Sequence, residues 1–299
     1  MSRRALVTGA TGFLGGHLVD RLVQDGWTVS TLQRYETAGS KASARLAAMG
    51  ASVQPFRTGA ELERLAADAE PDAVFHLATH YLKDHTPGDV PLLLDANVAF
   101  GTHLLTGLRG ADVPVVSALS YFQFRHGAPS PVSLYSATKQ AFFDVSEYFR
   151  VVAGMRIVQV VLYDTYGPGD TRDKLVPHLV SSLREGREMR MGPSAQQVNL
   201  LYVDDVVEGF LAAAANTDVS LVALRASAGV SVGQLVADLA EVAGRNVACT
   251  FDDTRPINNL VAEAGDWPGP HSWTPVVELR EGLARTWESS AASATPNGT

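Results

Sequence analysis

The chain has 299 residues, 46% of them hydrophobic and 19% charged, with a formal net charge of -8. That length allows one large domain, or a core domain with a smaller lobe. The acidic balance argues against a nucleic-acid surface, which needs a basic patch or stripe. A single cysteine, Cys249, excludes an internal disulfide and fits a reducing compartment.

No apolar run approaches the about 18 to 20 residues of a membrane span. Arg3-Arg4 lead into a strand-like run without the apolar stretch of a signal peptide. The expectation is a cytoplasmic protein with neither a membrane nor a nucleic-acid partner.

In chain order, short β-branched runs alternate with amphipathic stretches. Strands are expected at residues 5–7, 28–32, 53–56, 73–77, 113–118 and 156–162. Helices are expected at 15–25, 41–49, 61–68, 92–108 and 136–152. In the first helix Leu14, Leu18, Leu22 and Val23 fall on one face. Strict alternation of this kind predicts parallel strands joined by crossover helices: an α/β protein with a Rossmann-type, doubly wound parallel sheet.

After Gly167 the alternation loosens. Helices are expected near 175–185, 204–215, 232–243 and 276–288, and strands near 200–203, 221–226 and 247–251. The expected organisation is a dinucleotide-binding domain over 1–166, to which 196–215 returns, and a smaller C-terminal α/β substrate lobe over 167–288. The small, polar run 289–299, "SSAASATPNGT", reads as a disordered tail.

The first strand runs into "VTGATGFLG". Glycines three apart between a strand and a helix suit a phosphate. They permit positive φ and let a pyrophosphate approach the backbone, while the helix N-terminus offers N–H groups and a positive dipole end. The cofactor-binding candidates here are Gly9, Thr11, Gly12, Phe13, Leu14 and Gly15. A carboxylate at the end of the second strand would select the ribose hydroxyls of NAD. That strand ends Gln33-Arg34, with no acid, so both residues are cofactor candidates and Arg34 points to the 2′-phosphate of NADP(H).

"YSATK" places Tyr135 and Lys139 four apart, on one face of a helix. A free tyrosine titrates near about 10, too high for an efficient base near neutrality. A neighbouring ammonium favours its phenolate, and such a tyrosine can exchange a proton with a carbonyl or alcohol oxygen while hydride moves at carbon. The lysine can also bind nicotinamide ribose hydroxyls.

Taken together, "VTGATGFLG", "DAVFHLAT", "NVAFGTHLL", "YSATK", "YGPGD", "LLYVDDVVEGF" and "WTPVVELREGL" resemble, in this order and over nearly the whole chain, the extended short-chain dehydrogenase/reductases of the NAD(P)-dependent epimerase/dehydratase type. The resemblance implies a Ser/Thr, Tyr, Lys constellation. Its first member is Ser120 or Ser117 in "VVSALSYFQF". Ser120 is preferred, because "SYFQ" resembles the corresponding stretch of some sugar-modifying members. The resemblance also implies that Leu77, Ala78 and Thr79 line the nicotinamide side, and that Asp164 can reach substrate.

Sugar 4,6-dehydratases of this family carry an Asp-Glu pair just after the catalytic threonine; here Tyr121-Phe122 follow Ser120. The resemblance therefore implies an NADPH-dependent ketoreductase that reduces the 4-keto group of a nucleotide-linked, expectedly dTDP-linked, 4-keto-6-deoxyhexose in deoxysugar biosynthesis. The alternatives are an NAD-dependent nucleotide-sugar 4-epimerase and a non-catalytic NADP-binding sensor. An arginine that many members place before "YVDD" is replaced by Gln196-Gln197-Val198-Asn199, so Arg172, Lys174 or Arg255 would have to meet the diphosphate. The aspartate usual after the third strand is Thr58.

The eight histidines lack companions at zinc spacing, so no metal is expected. Asn97 reads as structural and Asp204-Asp205 as a helix N-cap. The Phe142, Phe143, Phe149 stretch serves either the core or the helix face of a homodimer.

Overall fold

The computed structural model describes residues 2–292. The elements in order are β1 (Arg4–Thr8), α1 (Phe13–Gln24), β2 (Thr28–Arg34), α2 (Lys41–Ala48), β3 (Ser52–Phe56), α3 (Gly59–Asp68), β4 (Ala73–His76), α4 (Val90–Leu94), α5 (Phe100–Gly107) and β5 (Val115–Ser120). A small hairpin, β6 (Phe124–Arg125) and β7 (Ala128–Pro129), precedes α6 (Leu134–Val151) and β8 (Ile157–Leu162). Then come β9 (Asp164–Tyr166), α7 (Leu175–Glu185), β10 (Met189–Met191), β11 (Gln197–Val198), β12 (Leu200–Tyr202), α8 (Val203–Ala215) and β13 (Leu221–Leu224). The chain continues through β14 (Val230–Ser231), α9 (Val232–Ala243), β15 (Cys249–Phe251), α10 (Leu260–Glu263) and α11 (Leu279–Ala292).

Seven strands form one sheet in the order β13-β8-β5-β4-β1-β2-β3. β1 pairs in parallel with both β2 and β4, β2 with β3, β4 with β5, and β5 with β8. The order reverses between β1 and β4. In an open α/β sheet, ligands bind at the carboxyl ends of the strands flanking such a switch point. Leu6, Val74 and Val115 from the strands pack with Leu62, Leu104, Leu105, Phe142 and Phe149 from α3, α5 and α6. Phe142 and Phe149 are thus core residues.

The chain divides into two compact units. Among the described residues, the first comprises 2–162, 207–223 and 264–273; the second comprises 163–206, 224–263 and 274–292. These boundaries differ from those read in the sequence. Residues 196–206 group with the second unit, while 216–223 and 264–273 group with the first.

Two expected elements differ in form. The helix expected at 92–108 is interrupted: α4 and α5 are separated by a π-helical segment, Asp95–Ala99. The expected tail begins in helix, because α11 continues through Ser289, Ser290, Ala291 and Ala292; the rest of that tail lies outside the described residues. Asp205 is not a simple cap either. It is buried in the first turn of α8, and its carboxylate accepts from the Val276 and Val277 amides, 3.0 Å each. No helix among the described residues is long and apolar enough to cross a membrane. Nor do those residues contain a group of three or more His, Cys, Asp or Glu that could hold a metal.

Candidate active site

The glycine loop is built against the end of β4. Gly9 has φ +70°, and a Cβ there would lie 2.6 Å from the Ala78 nitrogen and from the Leu77 carbonyl carbon. Gly15 is equally constrained, because a Cβ would meet the Gly9 carbonyl oxygen and would lie 2.7 Å from its carbon. Gly12 is exposed and N-caps α1 with no side-chain hydrogen bond to the first turn. Gly9 and Gly15 are therefore required by packing, and Gly12 keeps the helix start open. Thr11 is exposed beside it, and Phe13 and Leu14 are half-buried in the opening turn. This cradle fits a pyrophosphate, whose charge a helix N-terminus favours.

At the end of β2 the two candidates separate. Gln33 is buried, and its Oε1 accepts from Ser43 Oγ at 2.8 Å, so it braces α2 against the sheet. Arg34 is exposed and registers opposite Phe56 of β3. Immediately after β3, Arg57 is also exposed, its guanidinium 3.4 Å above the Tyr35 ring. Two cations thus stand at the carboxyl ends of adjacent strands, Arg34 as the last residue of β2 and Arg57 just after β3. Only Arg34 was a candidate from the sequence. Thr58 caps α3, accepting from the Glu61 amide at 3.2 Å. The acid closest in sequence to Arg34 is Glu36, in the 3-10 turn beyond it.

α6 begins at a capping box. Ser133 Oγ accepts from the Ser136 amide at 3.2 Å, and Ser136 Oγ accepts from the Ser133 amide at 2.9 Å. The cap fixes the helix register, so Tyr135 enters in the first turn and Lys139 one turn later. Both are buried, 8% and 3% exposed, with Thr138, Phe142, Ser146 and Phe149 continuing the inward stripe. Burial pulls Lys139 down from the usual lysine value to about 8. His76, at the end of β4, is pushed down to about 3 by burial and then by the charge of Lys139, so its ring stays neutral. It sits between Phe100 and Phe142, 5.7 and 5.0 Å between ring centroids, with Nδ1 2.8 Å from Thr8 Oγ1.

Ser120 closes β5 at the same strand ends, whereas Ser117 lies inside the strand, registered between His76 and Gln159. Ser120 Oγ accepts from the Phe122 amide at 3.3 Å, and its O–H remains a donor. Gln123, fully buried, accepts from the Ser120 amide at 2.9 Å and so fixes the 3-10 turn Tyr121–Gln123.

Asn97, in the π-helical segment, makes four hydrogen bonds. Its Oδ1 accepts from Thr79 Oγ1 (3.0 Å) and the His80 amide (2.7 Å), and its Nδ2 donates to the His80 carbonyl (3.0 Å) and Thr138 Oγ1 (2.9 Å). Thr79 is thereby held by Asn97. Leu77 and Ala78 meet the glycine loop through their backbone.

The remaining candidates lie in the second unit. Arg172 is already committed: it donates to both carboxylate oxygens of Asp170 (2.7 and 2.8 Å) and to the Thr165 carbonyl (2.9 Å), closing the "YGPGD" turn. Lys174 N-caps α7 half-buried, and its ammonium is lowered by burial, an effect opposed by Asp164. A groove of about 290 Å³ within this unit is lined by Met191, Pro193, Gln196, Val232, Arg255 and Asn258, among others.

Residues 5–223 match the NAD dependent epimerase/dehydratase family. The chain belongs to that family. It is an enzyme of the short-chain dehydrogenase/reductase type, an NAD(P)-dependent oxidoreductase. Family relatives include CDP-abequose synthase of Salmonella typhimurium, 27% identical over 216 residues that cover 69% of this chain and 68% of that one. UDP-glucose 4-epimerase of Mycolicibacterium smegmatis is 29% identical, with 70% and 72% covered. Among solved structures, UDP-glucose 4-epimerase of Thermotoga maritima, crystallised with UDP-glucose, shares the fold at a TM-score of 0.83 and 22% identity, covering 98% of this chain and 100% of that one. UDP-glucuronic acid 4-epimerase of Bacillus cereus, in complex with NAD, does so at 0.79 and 19%, covering 98% and 99%.

Proposed function

We propose that this enzyme is an NADPH-dependent ketoreductase acting on the 4-keto group of a nucleotide-linked 4-keto-6-deoxyhexose. The observation that carries the reading is the turn after Ser120. It presents Tyr121, Phe122 and Gln123, with no carboxylate to remove and return protons as water loss requires, while Tyr135 and Lys139 are both present on α6. The relative CDP-abequose synthase, named for a CDP-linked sugar product, supports the nucleotide-linked substrate.

When bound, NADPH supplies the hydride for the carbonyl carbon. Tyr135 holds the proton that the carbonyl oxygen takes up, and Ser120 donates a hydrogen bond to that oxygen. The buried ammonium of Lys139 favours the phenolate left on Tyr135. Gly9, Gly12 and Gly15 would hold the pyrophosphate. Arg34 and Arg57 would meet the 2′-phosphate, which is the basis for NADP over NAD. Arg255 suits the diphosphate better than Arg172, whose fork is occupied by Asp170.

The decisive test is NADPH consumption with dTDP- and CDP-linked 4-keto-6-deoxyglucose. Turnover with either, with NADP+ released each cycle, is expected. Tight co-purifying NAD, with interconversion of UDP-hexoses and no net oxidation, would establish the alternative 4-epimerase reading, the activity for which the relative from Mycolicibacterium smegmatis is named. Tight NADPH binding without turnover on any sugar would establish a sensor. We also propose a homodimer, since Leu92 and Leu94 on α4 and Tyr148 and Val151 on α6 are exposed apolar residues. Light scattering at the mass of one chain would refute it.

A further inference from the structure

Tyr81 lies in the irregular segment after β4, and its ring meets that of Tyr135 edge to face, 4.9 Å between centroids at 80°. Tyr135 is almost enclosed, whereas Tyr81 remains 37% exposed. An aromatic ring on the surface side of a buried tyrosine is a cover for it. The contact is not left to a mobile loop. Asn97 takes the amide and carbonyl of His80, the residue immediately before Tyr81, and the hydroxyl of Thr79. The same Asn97 donates to Thr138 Oγ1, and Thr138 in turn donates to the Tyr135 carbonyl at 2.8 Å. One buried amide therefore ties the backbone beneath Tyr81 to the helical turn that carries Tyr135 and Lys139. Asn97 comes from the π-helical segment, so the interruption of the expected helix is what supplies the clamp.

We propose that Tyr81 is a positioning residue for Tyr135: its clamped ring fixes the direction of the Tyr135 phenol and walls one side of the space where the reacting oxygen meets it. The proposal rests on Tyr135 being the proton donor. Proton transfer needs the donor within hydrogen-bond reach in the right direction, and small misplacements are costly in rate. An edge-to-face contact acts through the ring and not through the second hydroxyl. Removing the Tyr81 hydroxyl should then matter little, and removing its ring should matter a great deal.

The experiment compares Tyr81→Phe and Tyr81→Ala in the full-length enzyme with NADPH and dTDP-4-keto-6-deoxyglucose. Y81F is expected to keep kcat within about twofold. Y81A is expected to lose roughly ten- to a hundredfold in kcat, with NADPH affinity, read by its fluorescence, unchanged within about twofold. The midpoint of the kcat–pH profile should move in Y81A and stay in place in Y81F.

A wild-type kcat in Y81A overturns the proposal. So does a Y81F loss as large as that of Y81A, which would assign the role to the phenol. Loss of NADPH affinity in step with kcat also overturns it, because the ring would then hold the loop together. Should Y81A not fold, Tyr81→Leu replaces it, with the same expectations. Tyr135→Phe, run in parallel, separates the two readings: full activity there removes Tyr135 as the donor, whatever the Tyr81 variants do.

Discussion

Replacing Lys139 by methionine should make the protein more stable and less active. The side chain is 3% exposed, and burial brings it from an ordinary 10.5 to about 8. At pH 7 the ammonium is still protonated in the folded chain, so folding bears the cost of taking that charge out of water. The gap of about 2.5 between the two values corresponds to about 3 kcal/mol, at about 1.36 kcal/mol for each pKa unit. Full burial leaves no solvent screening to discount. Methionine keeps the length and apolar volume and removes the charge, so K139M should gain up to about 3 kcal/mol at pH 7.

The sign with pH is fixed. Between about 8 and 10.5 the unfolded lysine holds its proton and the folded one releases it. The unfolded state then binds more protons, and wild-type stability rises with pH relative to the variant. The advantage of K139M should therefore shrink as pH climbs through that window. Urea denaturation of the cofactor-free proteins at pH 7 and at several points up to pH about 10 measures it. A K139M variant less stable at pH 7, or a gap constant with pH, would refute the reasoning. Either would mean that the protein compensates the ammonium fully.

Tyr135→Phe removes the proposed proton donor and should lower kcat about a hundredfold or more, with NADPH binding retained; single-turnover rates measure this. Arg34→Ala and Arg57→Ala should each weaken NADPH binding far more than NADH binding, and the double variant more than either, as read by fluorescence titration. Equal losses for the two cofactors would remove the basis for NADP. Gly15→Ala drives a methyl into the Gly9 carbonyl and should cost about 1 to 3 kcal/mol or more along with dinucleotide affinity, seen by calorimetry and titration. Asn97→Ala strips four hydrogen bonds, made with exposed Thr79, half-buried His80 and buried Thr138, and a loss of about 2 to 3 kcal/mol is expected in urea melts.

Much of the first unit was legible in the sequence because its signals are local. The glycine spacing, the strand–helix alternation and the four-residue step from Tyr135 to Lys139 are each set within a few residues. What was not legible depends on residues brought together from afar. Tyr81 meets Tyr135 and Asn97 meets Thr138 only through the tertiary fold. Apolar periodicity over 92–108 is the same for an unbroken helix as for one with a π turn, so the break that turns Asn97 inward left no trace. Arg57 carried a readable hint, a cation just after the third strand, but its approach to Tyr35 depends on the β2–β3 register. Arg172 showed the opposite failure. A charge that looked available to a ligand is spent two residues away on Asp170.

The glycine loop and the end of β4 touch backbone to backbone, with no side chain between them at Gly9. There is accordingly no residue in that contact which mutation could adjust by degrees; it is kept whole or lost. Arg34 and Arg57, by contrast, are exposed. On the proposed placement of the dinucleotide, the fixed part of its site and the variable part fall on different strands of one unit. A lineage, or an engineer, could rewrite which cofactor is chosen without reopening the question of whether one is held.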